Sequence, residues 1–548
     1  MIKKILFLGL LALGSAAFAQ KNDVVEDETS SSYNLNKPER EQWLKNTGSG
    51  LFIHFNVDAQ LGIVISHSLV GASDDYTERY FNDLPKTFNP SSFNPREIAE
   101  LAKLAGMKYI VFTTKHHAGF CFWDTETTDF NITKTPYKKD LLKDFVEATR
   151  AVGLDVGFYF SPEDFYFLHK HHIPISRNVD NLTEELKKEY AAYNRKQTEE
   201  LMRNYGKIDV LFIDGDPKEA VKETAWKLQP NILITRGAIL TPEQTLPGAK
   251  ITQPWLSPIT MGTAWQYQPT NDRYKSGSQL IQLLIEARSK GGSLLLNVGP
   301  KANGALPDEQ ENRLREMAGW YFINKESIEN TRSWVVSKEG EIYYTFKAPA
   351  TLYAFIMDAD KWKEAERKTF LLHSVKSTDS TKISVLGQNS QVIEYKPNLD
   401  VSSVFKQQKQ GIEVSVVKAQ RIYDDHRWPN PVVIKLENIK AVFPEAAILQ
   451  TGAFKTTALG QVLKGKILNY KTIRPDLAGF YYRTYSGQVE TLYAGEWKKT
   501  EPVKINADGS FEVLLKNLKK DISYEYKSFA VQENVTIEGE NKIIPILH

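Results

Sequence analysis

Several side chains suited to acid, base or nucleophilic work stand at the ends of apolar runs. Asp214 closes Val-Leu-Phe-Ile in DVLFIDGD, His54 follows Leu-Phe-Ile in LFIHF, and His116 and His117 follow FTTK. Tyr159 lies in GFYFSPED, and Arg236 ends ILITRG. A carboxylate with apolar neighbours before it and Gly215 behind it combines a dry wall with bare backbone, which suits a nucleophile or a ligand contact. The competing use of Asp214 is to cap the next helix, a task Asp216-Pro217 can fill instead. Neutral imidazole offers one donor and one acceptor and so matches hydroxyl groups. Metal binding is not expected, because neighbouring side chains at a strand end diverge and no HExxH or carboxylate-spaced partner accompanies His116 and His117. His169, His171 and His172 fall in a polar stretch and read as solvated surface. There is no GxSxG, no Walker loop and no GxGxxG after a strand, so the serine-hydrolase and nucleotide-binding readings lack support.

These residues need elements that bring them together. Strand-like runs at 51–55, 109–113, 156–160, 210–214, 232–235 and 293–298 alternate with amphipathic stretches at 95–105, 139–152, 183–203, 276–289 and 307–324. Repeated strand–helix units imply a parallel sheet covered on both faces, and about 300 residues of them suit a (β/α)8-like TIM barrel over 34–335. In such a barrel the C-terminal strand ends form one mouth, so the residues above converge there. Beyond Trp334 the texture changes to short alternating runs such as EIYYTFKA and IEVSVVKA. The expected arrangement is a β-sandwich over 336–441 and a second, fibronectin-like one over 442–548.

The chain has 548 residues, 69 Lys+Arg against 67 Asp+Glu, and one cysteine, Cys121. That balance gives no field for nucleic acid or anionic membrane, and a lone cysteine excludes an intrachain disulfide framework. The first residues, MIKKILFLGLLALGSAAFAQ, have a basic start, a short apolar run and an Ala-Phe-Ala end. They read as a signal peptide over 1–19, followed by a flexible acidic segment over 20–33. The protein is accordingly expected to be secreted or periplasmic, in a bacterial setting.

Several segments in fixed order resemble glycoside hydrolase family 29, the retaining α-L-fucosidases. They are GLFIHF (50–55), FNPSSFNPREIAELAKLAGMKYIVFTTKHHAGFCFWDTETTDFNI (88–132), DLLKDFVEATRAVGLDVGFYFS (140–161), LMRNYGKIDVLFIDG (201–215), TPEQ (241–244), TMGTAWQY (260–267) and the stretch from KSGSQ to LPDEQ (275–310). The resemblance implies a secreted, exo-acting α-L-fucosidase acting on fucosylated oligosaccharides or glycoconjugates, with Asp214 as nucleophile of a double displacement and no metal or organic cofactor. It implies sugar contacts from His54, His116, His117 and Tyr159, with Arg236 near the nucleophile, Phe212 beside it and Phe52 under the fucose methyl group. The chain also departs from the pattern. Leu256 follows Trp255 where relatives carry the acid/base glutamate, and no carboxylate lies between Glu243 and Asp272. Phe55, Arg79 and Phe212 stand where tryptophan is usual, and Ala118 where aspartate is. Glu78, in TERYF, is the substitute acid this reading selects, with Glu243 second. The alternatives are a weakened relative that binds fucosylated glycans, and a glycosidase for another sugar such as a β-D-galactoside.

Overall fold

The computed structural model describes residues 34–177, 182–389, 396–419, 430–485 and 495–546, so the expected signal peptide and acidic segment lie outside the described residues. The first body is a parallel sheet of β1 (Ser49–Ile53), β2 (Tyr109–Lys115), β3 (Asp155–Phe160), β4 (Val210–Ile213), β5 (Leu233–Ile234), β6 (Leu256–Thr260) and β7 (Ser293–Val298). Their order across the sheet is β5-β4-β3-β2-β1-β7-β6. Burial along these strands is nearly continuous instead of alternating, as in β2 and β7, because helices cover the outside while side chains fill the inside.

The helices are α1 (Pro38–Thr47), α2 (Asp74–Thr87), α3 (Pro95–Leu104), α4 (Leu141–Val152), α5 (Phe165–Lys170), α6 (Glu184–Asn204), α7 (Glu219–Leu228), α8 (Gly277–Ser289) and α9 (Asp308–Asn324). Their boundaries follow capping chemistry. Asn94 caps α3 with Pro95 in its first turn, Asp140 caps α4 and Gly153 ends it left-handed, and Ser276 with Gln279 forms a reciprocal box on α8.

The barrel-like sheet has seven strands among the described residues, where a (β/α)8 pattern has eight. Between β5 and β6 the chain carries Pro242, Pro247 and Gly248, which donate poorly to a ladder or weaken one. A single parallel bridge, Leu240 to Trp255, spans that gap. Strand β6 itself, Leu-Ser-Pro-Ile-Thr, was not apparent from the alternation because Pro258 interrupts it.

Antiparallel strands follow. Lys382–Val385, Val432–Glu437, Thr351–Ile356, Ile342–Lys347 and Arg332–Glu339 form one sheet, and Arg367–Leu372, Gly411–Val417 and Val404–Gln408 form another. They share a core that includes Trp334, Tyr344, Leu372, Val414 and Ile434. Two further four-stranded sheets between Leu449 and Ile544 enclose Leu463, Phe480, Phe511 and Tyr526. The last strand, Val535–Ile544, also meets the barrel. The Gly248 amide donates to Glu540 Oε2 at 3.1 Å, and a Cβ on Gly248 would lie 2.7 Å from the Asn541 nitrogen.

Lys115, at the end of β2, points out of the barrel into a wholly buried ion pair with Asp164 at 3.0 Å and also donates to Gln197 at 2.8 Å. Asp164 in turn caps α5 by accepting from the Phe167 amide at 2.8 Å. Breaking one side of such a pair leaves a bare buried charge. Lys115→Met is therefore expected to destabilise the fold by about 3 to 5 kcal/mol in denaturant unfolding, whereas Lys115→Met/Asp164→Asn recovers part of that loss. A single variant as stable as the wild type would contradict the assignment.

Candidate active site

Strand register gathers the expected residues. Tyr159 on β3 lies opposite Phe212 on β4, and Phe52 on β1 opposite Asn297 on β7. Just past the strand ends, the Asp214 amide donates to the Phe160 carbonyl at 3.1 Å, and the His54 amide to that of Val298 at 3.0 Å. The aromatic floor is continuous: Phe52 stands 4.3 Å from His54, 5.0 Å from Phe212 and 5.8 Å from Tyr159 between ring centroids. Trp265, which the residue types had not singled out, closes one side at 4.8 Å from His54. Leu256 is fully buried in the same apolar cluster as Phe52, Tyr159 and Phe212, so this position holds hydrocarbon.

Asp214 is 17 % exposed at the centre of this group. Tyr159 Oη donates to its Oδ2 at 2.8 Å, and Arg236 Nη1 lies 3.7 Å from its Oδ1. Burial alone would raise its pKa, but the Arg236 guanidinium, with Arg177 further off and the Tyr159 hydroxyl, overcomes this and holds it well below the usual carboxylate range. It caps no helix, because α7 begins after Lys218. Gly215 is required in its place: its φ is +102°, and a Cβ there would lie 2.4 Å from Glu163 Oε1.

His116 and His117 do not diverge. The chain has already left β2 at Lys115, and their rings stand 4.2 Å apart on the same side, with His117 Nε2 3.7 Å from Asp214 Oδ2. Donor atoms of His116, His117 and Asp214 lie within 4.8 Å of one another, the spacing of a possible cation cage. The Arg236 and Arg177 guanidinia beside Asp214 already supply positive charge there and disfavour a metal ion.

Two glutamates approach Asp214, and neither is Glu78. Glu243 Oε2 is 2.6 Å from the Arg236 nitrogen that stands 3.7 Å from Asp214, so one guanidinium brackets both carboxylates. Glu163, in SPED, is buried behind His117, with Oε2 3.2 Å from His117 Nδ1 and 2.8 Å from Arg177 Nε. Desolvation pushes its pKa up to about 7 despite Arg177. Glu78, the acid selected from sequence, is exposed on α2, 2.8 Å from Asn82 Nδ2 and 3.5 Å from His169 Nε2. Among the described residues it contacts none of the cluster. Asn82 and His169 take up its carboxylate instead, which residue type and spacing do not reveal.

The imidazoles are neutral. Burial lowers His54 to about 4, and it lowers His116 and His117 well below the ordinary value. The unfolded chain takes up the His54 proton near pH 6.5 and the folded chain only near pH 4, so the fold loses stability as pH falls through that window. His54 alone contributes about 3 kcal/mol to that loss. Denaturant unfolding across pH 6.5 to 4 should show a steeper decline for wild type than for His54→Gln; parallel curves would refute the burial argument.

A profile of the alpha-L-fucosidase family matches residues 15–326, more than half of the chain. The plasma alpha-L-fucosidase of Homo sapiens is 27% identical over 358 residues, covering 57% of this chain and 72% of the relative. An alpha-L-fucosidase of Dictyostelium discoideum is 22% identical over 421 residues, covering 68% and 88%. Among solved structures, alpha-L-fucosidase isoenzyme 1 from Paenibacillus thiaminolyticus superposes with a TM-score of 0.58 at 30% identity, covering 73% of this chain and 98% of that one. An alpha-fucosidase of Thermotoga maritima in complex with a mechanism-based inhibitor shares the fold at a TM-score of 0.57 and 24% identity, covering 74% and 100%. With the barrel-like body and its matched segments in register, the chain belongs to the alpha-L-fucosidase family of glycoside hydrolases.

Proposed function

We propose that the protein is an exo-acting α-L-fucosidase that releases L-fucose from fucosylated oligosaccharides or glycoconjugates by retaining double displacement, with Asp214 as nucleophile. The observation that carries this is the ionised Asp214 carboxylate, fixed by Tyr159 and Arg236 at the mouth of an apolar pocket. Its oxygen forms a bond to the anomeric carbon as the glycosidic C–O bond breaks. Water then attacks that carbon, releases the carboxylate and restores the starting configuration. Neutral His54, His116 and His117 suit the sugar hydroxyls, and Phe52 with Phe212 suits the C6 methyl group.

The leaving oxygen needs a proton, and a water must later give one up. We assign both transfers to Glu243, because it shares Arg236 with Asp214 and so stands no further from it than those two contacts laid end to end. This is compatible with the roughly 5 to 5.5 Å separation of a retaining pair. Glu163 is nearly inaccessible and its carboxylate is taken up by His117 and Arg177, so its part is to hold that ring.

Asp214→Ala should lower kcat/KM on an aryl α-L-fucoside by a factor on the order of 10³ or more. Glu243→Gln should spare an aryl fucoside with an acidic phenol but slow a fucosyl-oligosaccharide by about 10² to 10⁴. If Glu78→Gln shows that pattern instead, the acid assignment is wrong. If neither wild type nor Asp214→Ala turns over while fucosylated glycan is still bound, the protein is a glycan-binding relative. Cleavage of an aryl β-D-galactoside in preference would change the sugar but keep the mechanism. We also propose export directed by residues 1–19, for which N-terminal sequencing of the secreted or periplasmic protein should begin at Gln20; a retained Met1 would refute it.

A further inference from the structure

We infer that Ser66, Ser161 and Asn297 are positioning residues that lock the three site imidazoles into two opposite tautomers, so that the pocket offers acceptors at His54 and His117 and a donor at His116. The inference rests on the fucosidase reading only in taking the ligand to be a polyhydroxylated sugar ring.

The assignment follows from counting donors behind each ring. Ser66 Oγ accepts from the Ala118 amide at 3.0 Å and from Asn56 Nδ2 at 3.3 Å. Asp58 Oδ1, 2.9 Å from Asn56 Nδ2, fixes which end of that amide carries the hydrogens. Asn56 Nδ2 also stands 3.2 Å from Tyr80 Oη, but every neighbour of Ser66 Oγ other than His116 is a donor, so among the described residues the one acceptor for the Ser66 proton is His116 Nδ1 at 2.8 Å. His116 is therefore protonated on Nε2, which faces ligand as a donor.

His117 has the reverse arrangement. The Ser161 hydroxyl donates to the Glu163 carbonyl at 3.2 Å, and Glu163 Oε2 accepts from Arg177 Nε at 2.8 Å. Both oxygens therefore act as acceptors toward His117 Nδ1, at 2.7 and 3.2 Å respectively. The proton lies on Nδ1 and Nε2 is bare. For His54, Asn297 Nδ2 donates to the Trp265 carbonyl at 2.6 Å, which turns Asn297 Oδ1 to His54 Nδ1 at 2.6 Å. This ring too carries Nδ1–H and a bare Nε2.

The pattern acts on specificity. His117 Nε2 and Asp214 Oδ2, 3.7 Å apart, are both acceptors, and Tyr159 already spends its proton on Oδ2. A ligand hydroxyl near the attacked carbon that donates between them relieves their repulsion, whereas an ether, a fluorine or a hydrogen does not. The pair thus selects an O–H donor at the position next to the bond being cut.

Long-range ¹H–¹⁵N NMR of full-length protein labelled with ¹⁵N-histidine tests this at pH 8.5, where Glu163 is ionised, with resonances assigned through single His→Gln variants. The expected spectrum has Nδ1–H at His54 and His117 and Nε2–H at His116. Asn297→Leu, which removes the acceptor behind His54 Nδ1, should move His54 toward Nε2–H and raise KM for an aryl fucoside about tenfold, with a smaller change in kcat. A wild-type spectrum with one common tautomer at all three rings, or an Asn297→Leu spectrum unchanged at His54, overturns the inference. If Asn297→Leu does not fold, the wild-type spectrum alone decides. Activity retained in Asp214→Ala with the tautomers as stated would sink the nucleophile assignment and leave this one standing.

Discussion

A negative charge held in a largely dry place is the constraint from which the rest of the site follows. Asp214 lies among Phe52, Tyr159 and Phe212, where an uncompensated carboxylate would take up a proton. Arg236, Arg177 and the Tyr159 hydroxyl keep it ionised, and each comes from a different part of the barrel mouth. Their placement needs β3, β4 and β5 in correct register, so the charge is only as well held as the sheet that assembles its partners.

The same dryness governs the histidines. Burial keeps all three neutral, and a neutral ring has one donor and one acceptor whose order is set by what lies behind it. Ser66, Ser161 and Asn297 stand behind the rings, and on the inference drawn above they decide which nitrogen of each carries the proton. Glu163 and Arg177 extend this support outward from His117 into an ion pair whose carboxylate is buried and whose guanidinium reaches solvent. Electrostatic control here is layered, with outer polar groups fixing the ones that line the mouth.

The barrel-like body was legible because buried parallel strands are apolar along their whole length, and because Asn94-Pro95, Asp140 and Ser276 mark helix starts in plain sight. Strand β6 was hidden by Pro258, and the lack of an eighth strand among the described residues by prolines whose effect depends on the neighbours they meet. At the site, strand-end position was enough to bring Asp214, His54, His116, His117, Tyr159 and Arg236 to one mouth. It was not enough for Glu78, whose direction depends on how α2 packs, nor for Glu163, whose importance comes from burial that residue type does not encode. The closeness of His116 to His117 was likewise unreadable, since it depends on where β2 stops.

The contact between the last strand and the 241–248 segment ties distant parts of the chain to the barrel mouth. Glu540 grips the backbone of Gly248, five residues from Glu243, which clasps Arg236, which in turn steadies Asp214. The C-terminal module is thus a brace for one wall of the pocket and not a detachable passenger. Swapping it for another sandwich of the same outline would change the enzyme's working edge, even if every residue of the barrel were retained.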